Sequence, residues 1–307
     1  MNAAYKRQVR LLLDVLPEVA KEKCFALHGG TAINLFVRDM PRLSVDIDLT
    51  YVEVGERDEA LAGINNALLR IKANIEGLRS SIRVQHKTDV CRLQLDEYGV
   101  LIKIEVNVVV RGLLANNHKA LLCESAQEQF DVFCAIPVVP LSQLYGGKLC
   151  AALDRQHPRD LFDVKLLFDN EGFTDEIKRG FLFGLVSSNR PIHEILNPHL
   201  LDQHIAFENQ FKGMTDSEFS YDDYEATRLQ LIKTIHANLD NIDKHFLLNL
   251  NRLTPDWSVY NYQGFPSVKW KLLNLEKFKK ENREGYLAQL AELEDFLEQL
   301  SMRYRSR

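Results

Sequence analysis

Residues 27–33, Leu27-His28-Gly29-Gly30-Thr31-Ala32-Ile33, and 42–49, Arg42-Leu43-Ser44-Val45-Asp46-Ile47-Asp48-Leu49, decide how this chain reads. The apolar run Cys24 to Leu27 predicts a short buried strand; a glycine pair follows it, and then good helix formers through Val37. Strand, turn and helix in that order set backbone amides at a helix N-terminus. Glycine lets a ligand approach the backbone there, and the amides, with the Thr31 hydroxyl, point at an anion such as a phosphate.

The second run alternates. Val45, Ile47 and Leu49 point one way and Ser44, Asp46 and Asp48 the other, so one strand carries two carboxylates on one face. Two like charges so close are tolerated beside open water or a divalent cation, and magnesium takes one or two protein carboxylates together with substrate phosphates. Each feature alone has an ordinary explanation, since exposed strands often carry two acids and Gly-Gly-Thr is a turn. Their order, with R-x-S-x-D-x-D following the glycine turn, describes a metal-nucleotide site.

The 307 residues suffice for two domains with their own cores, and 46% hydrophobic with 26% charged residues is ordinary for a globular protein. No apolar run approaches the roughly 18 residues that span a bilayer, and Met1 to Arg10 is polar and basic, so a cytoplasmic protein is expected. Cys24, Cys91, Cys123, Cys134 and Cys150 are widely spaced with no C-x-x-C pair, which reads as reduced core thiols. A net charge of -5 argues against a protein that coats nucleic acid without specificity, while leaving room for a local basic patch.

Apolar spacing predicts helices over Ala3–Lys21 and Glu56–Leu78, and alternation predicts strands over Ile82–His86, Val90–Leu95 and Val100–Val110, an antiparallel meander. In the last of these, Lys103, Glu105 and Asn107 share one face and Ile102, Ile104, Val106 and Val108 the other. An acid inside so apolar a strand is either solvated or ion-paired, or it joins Asp46 and Asp48 as a third metal-site carboxylate, activating the attacking hydroxyl or completing a two-metal site.

Leu141 to Leu153 reads as a helix with Lys148 near its middle. Gly146-Gly147-Lys148 is no P-loop, because its first glycine is missing and Leu149 stands where the magnesium-binding hydroxyl belongs. Pro158 then restarts a helix on which Arg159, Asp160 and Asp163 can share a face. Beyond Asn170 the composition is helical, with long segments at Tyr221–Leu250 and Glu284–Leu300. His193, His199 and His204 do not form H-E-x-x-H. Trp257 to Lys280 interleaves Trp257, Tyr260, Tyr262, Phe265 and Trp270 with lysines, which suits either RNA binding, with Arg303, Arg305 and Arg307 of the tail, or a small core with a basic rim.

With these residues in view the chain resembles the AbiEii/AbiGii toxin family, a branch of the DNA polymerase beta-like nucleotidyltransferases. The likeness rests on H-G-G-T-A and R-x-S-x-D-I-D-L over Leu27–Leu49, on Lys103–Val106, and on K-x(10)-R-D-L-F-D over Lys148–Leu167. It implies an α+β fold, with a minimal nucleotidyltransferase mixed sheet flanked by helices over residues 1–170 and a mostly helical C-terminal domain over 171–307, the region available for acceptor binding. It implies Gly29, Gly30, Thr31, Arg42 and Ser44 at the nucleotide, Asp46 and Asp48 on Mg2+ with Glu105 as the third acid, Lys148 on a phosphate, and Asp160 with Asp163 in the distal motif. Many members of the superfamily carry aspartate where this chain has Glu105.

The resemblance further implies an NTP substrate, an RNA acceptor such as the 3′ end of a tRNA, a block of translation and a cognate antitoxin. Two other readings keep part of the site: nucleotidylation of a protein hydroxyl, and a silent nucleotide-binding module.

Overall fold

A computed structural model describes residues 1–304, so Arg305 and Arg307 lie outside the described residues. The chain forms two compact units, one of residues 1–144 and 205–219 and the other of residues 145–204 and 220–307. The α+β class expected from the sequence is observed. Residues 145–170, expected to close the catalytic domain, pack with the C-terminal helices.

The first unit is built on a seven-stranded sheet in the order β3-β4-β5-β2-β1-β7-β6. Its strands are β1 (Phe25–His28), β2 (Asp46–Tyr51), β3 (Arg83–Lys87), β4 (Arg92–Glu97), β5 (Val100–Asn107), β6 (His118–Leu121) and β7 (Ala135–Val138). The pairs β1–β7 and β2–β5 are parallel and the others antiparallel. Helix α1 (Ala3–Ala20), whose first turn is capped by the Asn2 side chain, packs on β5 and β7. The short α2 (Gly29–Ala32) continues into a π-helical turn, Ile33–Val37, where the sequence predicted plain helix.

Helix α3 (Arg57–Leu78) crosses β3 and β4, and α4 (Glu124–Phe130) lies between β6 and β7 in sequence. Leu12, Leu13 and Leu16 of α1 and Ile64, Leu68 and Ile71 of α3 are fully buried, each contributing about 1.5–3 kcal/mol of hydrophobic stabilisation. Alternation sends Ile47, Leu49, Leu93, Leu95, Ile102 and Ile104 into the same core. A turn at α9 (His204–Ala206) leads to the last segment of this unit, which Thr215 ties down by donating to the Pro41 carbonyl at 2.8 Å.

The second unit is helical. It contains α5 (Leu141–Asp154) from Tyr145 onward, α6 (Pro158–Asn170), α7 (Asp175–Ser187), α8 (Ile192–Leu196), α10 (Tyr221–Asn238), α11 (Asn241–Asn251), α12 (Pro266–Glu281) and α13 (Arg283–Tyr304). The single helix expected over Tyr221–Leu250 is two, because Asp240 caps a new one. Its carboxylate accepts from the amides of Ile242 and Asp243, and Asp243 accepts from the Asp240 amide, a reciprocal capping box.

Of the aromatics between Trp257 and Lys280, Tyr262 belongs to the core and Trp257, Tyr260, Phe265 and Phe278 are half-buried against it or its surroundings. Phe183 packs edge-on between Tyr262 and Phe265 at centroid distances of 5.4 and 4.7 Å, and the Tyr262 hydroxyl donates to the Arg179 carbonyl. Trp270 alone of this group is exposed.

Helices α5 and α7 approach so closely that an ideal Cβ on Gly146 would sit 2.1 Å from the Gly180 carbonyl carbon. Backbone cannot yield as a flexible side chain would. Gly146→Ala is expected to destabilise the protein by about 3 kcal/mol or more in chemical denaturation. Gly77→Ala in α3, with open space around the position, is expected to be neutral or to stabilise by up to about 1 kcal/mol.

Candidate active site

In the first unit the glycine turn is built around the carboxylate strand. Gly29 has φ +71°, the left-handed region that favours glycine, and a Cβ there would lie 2.2 Å from Asp48 Oδ2. A Cβ on Gly30 would lie 2.9 Å from both Arg42 Nη2 and Ser44 Oγ. The two glycines therefore let β2 and the segment before it close on the backbone of the turn.

The Thr31 hydroxyl, expected to face an anion, is fully buried; it donates to the Asp46 carbonyl at 2.6 Å and lies 3.0 Å from the Ser44 hydroxyl. Arg42 is equally buried and donates to the Leu43 carbonyl. Thr31, with Ser44 beside it, thus fastens the turn to β2. Asn34, which the sequence reading passed over, donates to the Gly30 carbonyl at 2.9 Å.

Strand register gives the site its surroundings. His28 pairs with Asp48 across β1–β2, Asp48 with Glu105 across β2–β5, and Glu105 with Arg92 across β5–β4, so the four lie along one rung. Asp46 shares the next rung with Lys103. Partners in register point to the same side of a sheet, which puts Asp46, Asp48 and Glu105 on one face. Glu105 forms an ion pair with Arg92 at 2.7 Å. Nothing local to residues 100–107 shows this partner; the meander alone brings it.

Among the described residues, no three His, Cys, Asp or Glu side chains converge as metal ligands. The donor set on β2 is therefore two aspartates, which fits magnesium completed by phosphate and water oxygens and does not fit a structural zinc site. All five cysteines are free thiols, as expected.

The second unit holds a separate charged cluster. The Lys148 ammonium lies 2.8 Å from Asp160 Oδ1 and 3.0 Å from Asp163 Oδ2, and the exposed Arg155 reaches Asp160 Oδ2 at 2.6 Å. All of these acids and the lysine are buried. Helix α6 makes the arrangement: Pro158 opens it, the His157 ring accepts from the Arg159 amide, and Asp160 falls in the first turn where the helix dipole favours a negative charge. Burial pushes the Asp160 carboxyl up, but the Lys148 ammonium and the Arg155 guanidinium outweigh it and hold the group well below the usual carboxylate range. Arg155 was absent from the sequence reading; its signal was a cation five residues before Asp160 in the turn that precedes α6.

Of His193, His199 and His204, two have side-chain partners. His193 pairs with Glu292 at 2.9 Å, and His204 pairs with Asp202 and stacks on Tyr221.

Asp160 stabilises the fold at neutral pH because its folded pKa lies below the unfolded value of about 3.9. That contribution is complete above the unfolded pKa and is lost as pH falls through the folded one. Asp160→Asn, which leaves Lys148 one charged partner short, is expected to cost about 3 kcal/mol in urea denaturation at pH 7. The gap from wild type is expected to narrow progressively below about pH 4.

Comparison with known proteins agrees with this architecture. MenT4, a nucleotidyltransferase toxin from Mycobacterium tuberculosis H37Rv, superposes with a TM-score of 0.62 at 15% identity, covering 89% of this chain and 95% of that one. The fold is shared. No curated protein sequence matches this chain. Residues 10–297 match the family described as nucleotidyl transferase AbiEii toxin of type IV toxin-antitoxin systems, and the chain belongs to that family.

Proposed function

We propose that this nucleotidyltransferase moves a nucleotidyl group from an NTP to an RNA hydroxyl, at the 3′ end of a tRNA, and so blocks translation as the toxin of a pair with a cognate antitoxin. The single observation that carries the reading is the seating of the Asp48 carboxylate against the left-handed Gly29, with Asp46 on the same strand face. The transition state spreads charge over the phosphorus oxygens, so catalysis depends on positioning and positive charge. Asp46 and Asp48 are the residues assigned to hold Mg2+, which supplies that charge when bound.

The turn amides after Gly29 are assigned to the NTP phosphates. Thr31, with Ser44 beside it, holds the turn in place for them. Glu105 is assigned as the third acid, next to Asp48 in register and already balanced by Arg92. Lys148 is assigned to a substrate phosphate, with Asp160 and Asp163 orienting its ammonium, on the resemblance of their spacing to the distal family motif. NTP, tRNA and antitoxin meet in the cytoplasm, which is the compartment the reading requires; no helix among the described residues is long and apolar enough to cross a membrane.

Incubation with magnesium, total RNA and each α-phosphate-labelled NTP in turn is expected to label bands of tRNA size. Label confined to protein would replace this reading with nucleotidylation of a protein hydroxyl, and binding of magnesium-NTP without transfer would mark a silent nucleotide-binding module. Asp48→Asn, near-isosteric and uncharged, is expected to lower the transfer rate by about 10²-fold or more, with the thermal midpoint kept. Lys148→Ala is expected to weaken NTP affinity; an unchanged affinity and rate would remove it from the site.

A further inference from the structure

The face that carries Asp46 and Asp48 does not end at β5. In β3, β4 and β5, alternation and register sort each side chain to one of two faces. Val84, Leu93, Leu95, Ile102 and Ile104 are buried on the side of α3, to which His86 is held by Asn65 at 2.8 Å. The other side has no such cover. Arg83, Gln85 and Lys103 are exposed there, and Lys87, Arg92 and Gln94 are half-buried.

Register lays these residues out in rows. Gln85, Gln94, Lys103 and Asp46 occupy one rung across β3, β4, β5 and β2. Lys87, Arg92, Glu105 and Asp48 occupy the next. Neighbouring strands lie about 4.8 Å apart, so the cations of β3 stand within about 15 Å of the β2 carboxylates.

On this face Arg83 lies opposite Asp96 and Arg92 is ion-paired with Glu105, whereas Lys87 has no acid opposite it. Lys87 lies directly opposite Arg92, and like charges opposed across a sheet cost stability. Arg92 is engaged by Glu105, whereas Arg83, Lys87 and Lys103 make no ion pair among the described residues. An open face with three cations outside any ion pair, amide side chains between them and the Asp46 and Asp48 carboxylates at one end matches one ligand chemistry. It is a single-stranded polyanion whose bases offer hydrogen-bonding edges.

We propose that the open face of β3, β4 and β5 holds the single-stranded end of the acceptor RNA, with Arg83, Lys87 and Lys103 on its phosphates and Gln85 and Gln94 beside its bases. The strand then runs along the rungs toward Asp46 and Asp48. This rests on the RNA-acceptor reading above and adds the surface that delivers the acceptor hydroxyl.

The test compares two charge-reversed pairs that change net charge equally: Arg83→Glu with Lys87→Glu on β3, and Lys277→Glu with Lys280→Glu on the exposed side of α12. Binding of a short fluorescent single-stranded RNA is followed by anisotropy over a range of salt, with NTP affinity and transfer of label measured in the same preparations. The β3 pair is expected to lose at least about tenfold in RNA affinity, and its salt slope is expected to fall by about 1.4 for two lost phosphate contacts. NTP affinity is expected to stay unchanged, and the α12 pair is expected to bind RNA as the wild type does.

RNA affinity unchanged in the β3 pair overturns the inference while wild-type labelling of RNA leaves the proposed function standing. Equal losses in both pairs also overturn it, because net charge then accounts for the effect. Wild-type protein that labels only protein, or binds no RNA, overturns the inference and the acceptor reading together.

Discussion

The close approach of the Asp48 carboxylate to Gly29 is the contact on which the first unit's site depends. Any side chain at residue 29 would occupy the space of the carboxylate, and its φ of +71° is one that other residues adopt only with strain. Because the chain turns left-handed there, β1 can hand over to α2 in one step and β2 can lie antiparallel to β1 with His28 opposite Asp48. Thr31, with Ser44 beside it, then locks the two segments together from inside, leaving Asp46 and Asp48 as the polar groups of the strand that remain partly accessible. The site is thus a consequence of how a turn closes, with its charges placed by strand alternation.

The second unit meets a different constraint, the burial of charge. Lys148, Asp160 and Asp163 would each be costly alone in an interior, and they are tolerated because two cations face two carboxylates within hydrogen-bond reach. Three of the four groups are buried, and the exposed Arg155 closes the cluster from the solvent side. The contrast with Lys271 is instructive. Its buried ammonium donates to the Ser188 and Arg190 carbonyls beyond the end of α7, burial pushes its pKa down to about 8, and a local capping role accounts for it.

Within the first unit, sheet register links the β2 carboxylates to the open face of β3, β4 and β5. A strand alternates whatever its neighbours are, but the function of a face depends on which strands lie side by side. Here β5 pairs with β2 on one edge and with β4 on the other, so a charge on the meander and a carboxylate of β2 end up along a common rung. The apolar half of the same residues, covered by α1 and α3, holds that register against slippage, since a shift of one residue would bury the cations.

The sequence by itself determined the strand-turn-helix at Gly29, the shared face of Asp46 and Asp48, the strands of the β3, β4 and β5 meander, and the grouping of Asp160 with Asp163, while the α+β class came from the family resemblance. Apart from the class, these follow from spacing within about ten residues, where the periods of helix and strand act directly. Only the tertiary structure decided that Thr31 faces inward to the Asp46 carbonyl, that Arg92 neutralises Glu105, that Lys148 and Arg155 share Asp160, and that Tyr262 is core and Tyr260 and Phe265 half-buried while Trp270 is exposed. The break at Asp240 also belongs to the structure, where the reciprocal capping of Asp240 and Asp243 divides the one helix expected over Tyr221–Leu250. Partners of that kind are fixed by strand order and helix packing between segments far apart in the chain, and no local period carries that information.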